Sequence, residues 1–181
     1  MKIRNNKPLY YAVEHMLQGL SYWLGFRTEC YSGHLVMEAV AVEVAVQILN
    51  AHIDHSMYKV KMEYGYGKVL KNNSNGRLDL AILDKSGNCV CGIEFKTSTD
   101  SNNGVAGDIA KLKTLPQTMY RLVVLISQKE TSMTRQFVDK EGKARRSIPF
   151  MPNVKVIRVT KAMESAGNSK YSPKAICIEV Q

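Results

Sequence analysis

Three charged residues interrupt two stretches that otherwise have the apolar character of buried β-strands. Asp79 lies in RLDLAIL (77–83), and Glu94 and Lys96 lie in CVCGIEFKT (89–97). Charged groups are rarely left inside a sheet, because removing them from water costs several kcal/mol unless a partner compensates. These positions are therefore the first candidates for a functional site.

The spacing of the three residues places their side chains together. Side chains alternate across a strand, so Glu94 and Lys96 must point to one face while Ile93 and Phe95 point to the other. If the two strands pair as a hairpin, Asp79 can lie beside Glu94. Adjacent carboxylates raise each other's pKa unless a cation joins them, and Mg²⁺ prefers such hard oxygen ligands. A neighbouring lysine would orient or help deprotonate water, or stabilise charge on a phosphorus centre.

A plainer interpretation is a solvated strand face on which Lys96 pairs with one of the two acids, as an antiparallel sheet with one wet face permits. The other residues on those faces are small or apolar, such as Ala81 and Gly92, which is unusual for a wet surface. We therefore favour a set of residues that cleaves phosphodiester bonds.

The motif residues resemble those of a known group of enzymes. LD (78–79) followed by IEFK (93–96), in a strand hairpin with a helix before it and a helix and strand after it, resembles the PD-(D/E)XK nuclease superfamily. The resemblance covers about residues 32–127. It departs from the family pattern at Leu78, where the family has proline, a position without a chemical role.

The resemblance implies a fold and a set of ligands. The fold is a restriction-endonuclease-like α/β arrangement, a mixed β-sheet flanked by helices. Asp79, Glu94 and the backbone carbonyl of Phe95 would bind Mg²⁺, for which Mn²⁺ may substitute, and Lys96 matches the motif lysine.

Similar enzymes often place another glutamate on the helix before the sheet, and this chain offers two. Glu38 lies on the same helical stripe as Val42, Ala45 and Leu49, whereas Glu43 points about 140° away. A glutamate in a core-facing stripe needs a reason, and a metal site supplies one. We favour Glu38 as a further catalytic and metal-binding residue and keep Glu43 as the alternative.

A surplus of basic residues favours a polyanionic partner. Lys and Arg outnumber Asp and Glu by 25 to 16, a formal charge of +9. Lys68 follows Tyr64 and Tyr66, whose rings could stack on bases or pack in the core, and Lys111 could contact phosphate or form a surface ion pair with Asp108. The candidates for contacting nucleic acid are Arg77, Lys111, Lys68, Arg145 and Arg146.

Periodicity predicts the elements that position these residues. Helical spacing covers 8–24, 32–52 and 105–115, and strand patterns cover 57–67, 77–83, 89–97, 119–127, 153–160 and 175–180. The strand reached through helix 105–115 should run parallel to its neighbour. We predict one domain over residues 1–181, with an N-terminal helix and a mixed sheet.

Cysteine usage and hydropathy limit the setting. Cys89 and Cys91, two apart on a predicted strand, should share one face, and without C-x-x-C spacing free thiols are expected. The chain start lacks the continuous apolar core of a signal peptide, and no apolar run is long enough to span a membrane. We expect a cytoplasmic protein that does not bind membranes.

The resulting prediction is an Mg²⁺-dependent nuclease, a hydrolase acting on DNA, with endonuclease action as the first expectation. Cutting both strands would need a homodimer or two binding events, and the aromatic residues of the first helix offer a surface for the homodimer. Two alternatives stay open: a catalytically inactive module of the same fold that binds nucleic acid or a protein partner, and an RNA-cleaving toxin.

Overall fold

The computed structural model describes residues 2–30, 38–98, 103–148, 151–162 and 172–181. A short 3₁₀ turn, Ile3–Asn5, precedes the first helix. The helices are α1 Lys7–Cys30, α2 Glu38–His52, α3 Tyr66–Leu70, α4 Asn103–Lys113 and α5 Thr134–Phe137. The strands are β1 Tyr58–Gly65, β2 Arg77–Asp84, β3 Cys89–Thr97, β4 Tyr120–Ser127, β5 Val154–Lys161 and β6 Lys174–Val180.

The six strands form one mixed sheet in the order β1-β2-β3-β4-β6-β5. Strands β1, β2 and β3 pair antiparallel, as their short connections predict. Strand β4 follows helix α4 and pairs parallel to β3, while β6 pairs antiparallel with both β4 and β5. The predicted α/β class, with a mixed sheet flanked by helices, is confirmed.

Each face of the sheet is covered by a different set of helices. Helices α1 and α2 cover one face, which we call the α1/α2 face, and it receives Ile93 and Phe95 from β3. Helices α3, α4 and α5 contribute to the opposite face, the α4 face, together with Val123 and Leu125 from β4. Because side chains alternate, Glu94 and Lys96 point toward the α4 face, as predicted.

Helix α1 has one buried stripe and one exposed aromatic surface. The buried residues recur at helical spacing: Leu9, Val13, Met16, Leu17, Leu20 and Leu24. Tyr11, Tyr22 and Phe26 are each more than half exposed on the other side. The surface suggested for a homodimer is therefore open to solvent, and it lies on the sheet face opposite Glu94.

One predicted strand was wrong at its C-terminal end. The strand predicted over 57–67 stops at Gly65, because the next residues form α3. Tyr66, Val69 and Leu70 follow the helical i, i+3, i+4 spacing and pack on the α4 face. The helix predicted from residue 32 is described from Glu38, and residues 32–37 lie outside the described residues.

The two neighbouring cysteines do not share a face. The register of β2 against β3 shifts between Ile82 and Leu83, which leaves one extra residue in β3. Cys91 consequently packs in the α1/α2 core and Cys89 against the α4 face. Both are free thiols, as expected, and so is Cys177. No helix in the described parts of the chain has the length and apolar character to cross a bilayer.

Candidate active site

The site begins where strands β2 and β3 separate. Their backbone pairing ends at Leu80 and Ile93. Asp79 immediately precedes Leu80 in β2, and its Oδ2 atom accepts a hydrogen bond from the backbone N–H of Phe95 at 2.7 Å. The carboxylate thus accepts a hydrogen bond that a backbone carbonyl of β2 would accept if the strand pairing continued. The gap between the strands leaves room for a polar site.

Glu94 is the most buried acid on these two strands. Its exposed fraction is 4%, and its Oε1 atom accepts a hydrogen bond from the Tyr66 hydroxyl at 2.8 Å. Burial raises the pKa of Glu94 to about 7, and the nearby charges of Asp79 and Asp108 act in the same direction. The hydrogen bond from Tyr66 partly offsets this rise. Burial and the neighbouring carboxylate also raise the pKa of Tyr66, so this phenol remains a donor.

Asp79 and Glu94 lie side by side. Their side chains come within hydrogen-bonding reach of each other, a contact that raises the pKa of Glu94 further. Two carboxylates this close cannot both ionise freely without a cation or a shared proton. The predicted pairing of these two acids across the hairpin is thus present in the fold.

Lys96 is held between two acids from different helices. Its Nζ atom lies 3.3 and 3.4 Å from the two carboxylate oxygens of Glu38 on α2. It also lies 3.3 Å from Oδ2 of Asp108 on α4. Desolvation disfavours the charged ammonium, but the charges of Asp108 and Glu38 outweigh it and raise the pKa of Lys96. Lys96 is therefore a fixed cation at neutral pH.

Asp108 connects Lys96 to a second lysine. Its exposed fraction is 3%, and its Oδ1 atom accepts a hydrogen bond from Lys111 Nζ at 3.2 Å. The ion pair from Lys96 to Oδ2 lacks hydrogen-bond alignment, and this buried oxygen has no hydrogen-bond partner among the described residues. An acceptor in this state can take a further donor or a bound cation.

The structure separates the two helix glutamates. Glu38 contacts Lys96, whereas Glu43 is exposed on the far side of α2. Val42 and Ala45, which lie on the same helical stripe as Glu38, are buried as the periodicity predicts. The placement favours Glu38 over Glu43 as the helix acid of the site, and its catalytic role stays a prediction.

The residues predicted to contact nucleic acid fall into two groups. Arg77 pairs with Glu63 at 3.6 Å, and since both side chains are more than 60% exposed the pair stabilises the fold little. Lys68 lies 5.5 Å from the centre of the Tyr64 ring. Together with Lys111, both residues lie on the side of the sheet that carries the acids.

The second group lies in the loop after α5. Arg145 donates from Nε to the backbone carbonyls of Arg135 and Val138, at 2.8 and 3.2 Å, so part of its guanidinium serves the loop itself. Arg146 is exposed. Nothing in the described contacts joins these two arginines to Asp79, Glu94 or Lys96.

A cleft of about 260 Å³ opens beside the acids. It lies between α4 and the segment that runs from α3 to the start of β2. Its lining includes Tyr66, Leu70, Asn75, Arg77, Lys111 and Thr114. Tyr66 and Lys111 connect it directly to Glu94 and Asp108.

Two members of the site were not assigned from the sequence. The sequence indicates only stacking or packing for Tyr66, because its contact with Glu94 depends on the unpredicted helix α3. For Asp108 it indicates only a pair with Lys111. The sequence does carry a signal for Asp108, since it lies on the apolar stripe of Val105, Ile109 and Leu112, the same argument that favoured Glu38.

Comparisons with protein-family models, with curated proteins and with solved structures give no match for this chain. Among the described residues, no group of three or more Asp, Glu, His or Cys side chains is arranged to hold a metal ion. The functional assignment must therefore come from the geometry and chemistry of the site.

Proposed function

We propose that this protein is a metal-dependent nuclease that hydrolyses phosphodiester bonds in DNA. The observation that carries the proposal is the meeting of Asp79 and Glu94 at the divergence of β2 and β3, with Lys96 on the same face. The order α2, β1, α3, β2, β3, α4, β4, in which α3 is a short helix of five residues, is consistent with the restriction-endonuclease-like fold that the resemblance implies. Endonuclease action, with self-association through α1, is part of the proposal.

The residues at the divergence fit a divalent cation. Asp79 and Glu94 are adjacent carboxylates; burial and, to a smaller extent, the charge of Asp79 raise the pKa of Glu94, so a cation beside them would favour the ionised pair. The N–H of Phe95 points toward Asp79, so strand geometry directs its carbonyl to the same side. Mg²⁺ binds through one or two carboxylates and keeps several waters, so a cage of three acids is not required.

Asp79, Glu94 and the Phe95 carbonyl would hold Mg²⁺ or Mn²⁺. When bound, such an ion lowers the pKa of water and stabilises negative charge on phosphoryl oxygens. Tyr66 fixes the orientation of Glu94 by donating to Oε1. The buried unsatisfied Oδ2 of Asp108 lies at the edge of this site, where it favours a positive environment.

Lys96 acts as a positive group and hydrogen-bond donor. Its pKa is raised by Asp108 and Glu38, so it does not take a proton from water at neutral pH. A fixed ammonium next to the acids would orient a scissile phosphate and stabilise the charge that develops on it. This refines the broader role that the sequence suggested for Lys96.

The three described cysteines that are free thiols favour a reducing compartment, so we place the protein in the cytoplasm as part of the proposal.

The test is cleavage of supercoiled, linear and single-stranded DNA, with RNA in parallel. Each substrate is incubated with Mg²⁺, Mn²⁺ or EDTA, for wild type, Asp79→Ala and Lys96→Ala. We expect metal-dependent cutting of DNA by wild type and loss of cutting in both variants, with unchanged circular dichroism. Supercoiled substrate separates endonuclease from exonuclease action.

Other outcomes would replace the proposal. Cutting of RNA alone would indicate the toxin. Binding of nucleic acid without cutting, for all three proteins and both metals, would indicate an inactive module in which Glu38, Lys96 and Asp108 form a structural ion-pair network.

A further inference from the structure

The cleft beside the acids shares two of its walls with the proposed active site. Tyr66 lines the cleft and donates to Glu94. Lys111 lines it from the other side and donates to Asp108, which in turn pairs with Lys96. A group bound in the cleft would therefore be separated from Glu94 and Asp108 by a single side chain, that of Tyr66 or Lys111.

The chemistry of the lining suits a nucleotide. Arg77 and Lys111 supply positive charge, and more than half of each side chain is exposed, so donors remain available for phosphate oxygens. Asn75 and Thr114 add polar groups able to pair with a base edge or a sugar. The side chain of Leu70, with the small exposed part of the otherwise buried Tyr66, provides apolar surface for a base.

The walls of the cleft are held in place by local contacts. The N–H of Tyr66 donates to the carbonyl of Gly76 at 3.0 Å, and the N–H of Asn72 donates to the carbonyl of Gly67 at 3.0 Å. A Cβ atom at Gly67 would lie 2.6 Å from the Asn72 carbonyl oxygen, so the turn closes only around glycine. The cleft is therefore preformed, as small-ligand sites usually are.

The size of the cleft is compatible with one unpaired nucleotide. Its volume of about 260 Å³ lies just below the range of about 300 to 1,000 Å³ typical of pockets for drug-sized ligands. A single nucleotide is of this size, whereas a base pair is much wider. Enzymes that must reach a base within such a pocket use single strands or displace the nucleotide from the duplex.

We propose that this cleft binds one unpaired nucleotide of the DNA strand next to the bond that is cut. This inference rests on the proposed nuclease function and deepens it. It assigns the substrate class as single-stranded or locally unpaired DNA, with Arg77 and Lys111 holding phosphate. Intact duplex would bind less well because it cannot place a nucleotide in the cleft.

The test uses two matched pairs of variants that change charge equally. Asn75→Asp places a negative charge in the cleft lining, and Asn73→Asp places it on an exposed residue of the same loop that is outside the lining. Thr114→Glu and Thr118→Glu form the second pair, because only Thr114 lines the cleft and both residues are exposed. Thermal unfolding confirms that each variant is folded.

Binding is measured in EDTA by fluorescence anisotropy, with a labelled single-stranded oligodeoxynucleotide and with the same sequence as a blunt duplex. We expect tighter binding of the single strand by wild type. A new charge about 10 Å or less from phosphate should weaken this binding about fivefold for Asn75→Asp and Thr114→Glu. The Asn73→Asp and Thr118→Glu controls should show the smaller change due to net charge alone.

The outcomes separate this inference from the proposed function. Equal weakening within both pairs, or preference for the blunt duplex, would overturn the cleft assignment even if wild type cuts DNA. Selective weakening by the cleft variants would support the cleft even if no metal gave cutting, in which case the nuclease proposal alone would fail. Failure of wild type to bind either oligonucleotide would overturn the inference.

Discussion

Two glutamates are buried in the strands of this sheet, and they differ in their hydrogen-bond donors and in the charges around them. Glu179 on β6 has an exposed fraction of 2%, and its Oε1 atom accepts a hydrogen bond from the backbone N–H of Ile3 at 2.7 Å. Glu94 on β3 has an exposed fraction of 4%, and it accepts from a phenol while lying next to Asp79.

The difference shows what each carboxylate does for the protein. Glu179 satisfies a backbone donor and ties the first residues of the chain to β6, so it stabilises the fold. Among the described residues Glu94 gains no backbone donor, and it lies near the charges of Asp79 and Asp108, so its burial costs stability. Groups with a pKa perturbed by burial and a neighbouring charge are concentrated at functional sites. Glu94 is thus the better candidate for chemistry, although both glutamates are buried.

The largest contrast should appear in activity. Glu94→Gln should lower kcat/KM for DNA cleavage by about 100-fold or more, because it removes one of two charges needed at the site. Glu179→Gln should leave kcat/KM essentially unchanged. Single-turnover cleavage of a labelled oligonucleotide in Mg²⁺ measures both.

Stability should respond in the opposite order. Glu179→Gln should lower the free energy of unfolding by about 1 to 3 kcal/mol, since it disturbs a buried hydrogen bond between a charged acceptor and a backbone donor. Urea denaturation checks this value. An equal loss of activity in the two glutamine variants would remove the distinction between the two glutamates.

The pH dependence of stability should carry the signature of Glu94. Its pKa in the folded protein is about 7, above the ordinary value of 4.5, so the folded state holds this proton more tightly than the unfolded chain. The resulting stabilisation is complete below the ordinary pKa and is lost as pH rises through about 7. In EDTA, the stability of wild type relative to Glu94→Gln should therefore fall between about pH 5 and pH 8.

Urea denaturation of both proteins across this range, under constant ionic strength, provides the measurement. Mg²⁺ should restore part of the stability of wild type at the upper pH because it binds only the folded state. A constant difference between wild type and Glu94→Gln would contradict the assigned environment of Glu94.

A smaller effect should come from Tyr66. Tyr66→Phe removes the hydrogen bond to Glu94, and a bond to a charged group is worth about 1.5 to 3 kcal/mol, so kcat/KM should fall roughly tenfold. Tyr64→Phe is the matched control, because Tyr64 contacts Lys68 rather than an acid. Equal activity of the two variants would show that Tyr66 only fills space.

The smallest effect should come from the helix acid. Glu38 is partly exposed and pairs with Lys96, so we expect it to act by positioning the Lys96 ammonium; such a pair is worth about 0.2 to 1 kcal/mol, and Glu38→Gln should lower kcat/KM about two- to fivefold. Glu43→Gln, on the exposed side of the same helix, should have no effect. A larger loss for Glu43→Gln would reverse the choice between the two residues.

The sequence predicted most of this arrangement because the motif residues lie on strands. The two-residue period of β3 fixes Glu94 and Lys96 on one face, and the short connection between β2 and β3 brings Asp79 beside them. The helical period of α2 likewise places Glu38 and Glu43 on different sides of that helix. In each case the local periodicity was sufficient to predict which side chains share a face of the strand or helix.

The remaining contacts depend on tertiary structure. Tyr66 reaches Glu94 only because the chain turns into α3 after Gly65, where alternation predicted a continued strand. Asp108 reaches Lys96 only because α4 packs over β3 and β4. The spacing left an ion pair of Asp108 with Lys111 as one of two open interpretations, and it did not predict the contact across to Lys96.

The most direct test of the account is binding of Mn²⁺ at neutral pH, followed by electron paramagnetic resonance, for wild type, Glu94→Gln and Glu179→Gln with an uncut oligonucleotide present. We expect a saturable Mn²⁺ site in wild type and Glu179→Gln that is lost in Glu94→Gln. Equal Mn²⁺ binding by all three proteins, or none by wild type, would contradict the claim that Asp79 and Glu94 form a metal-dependent nuclease site.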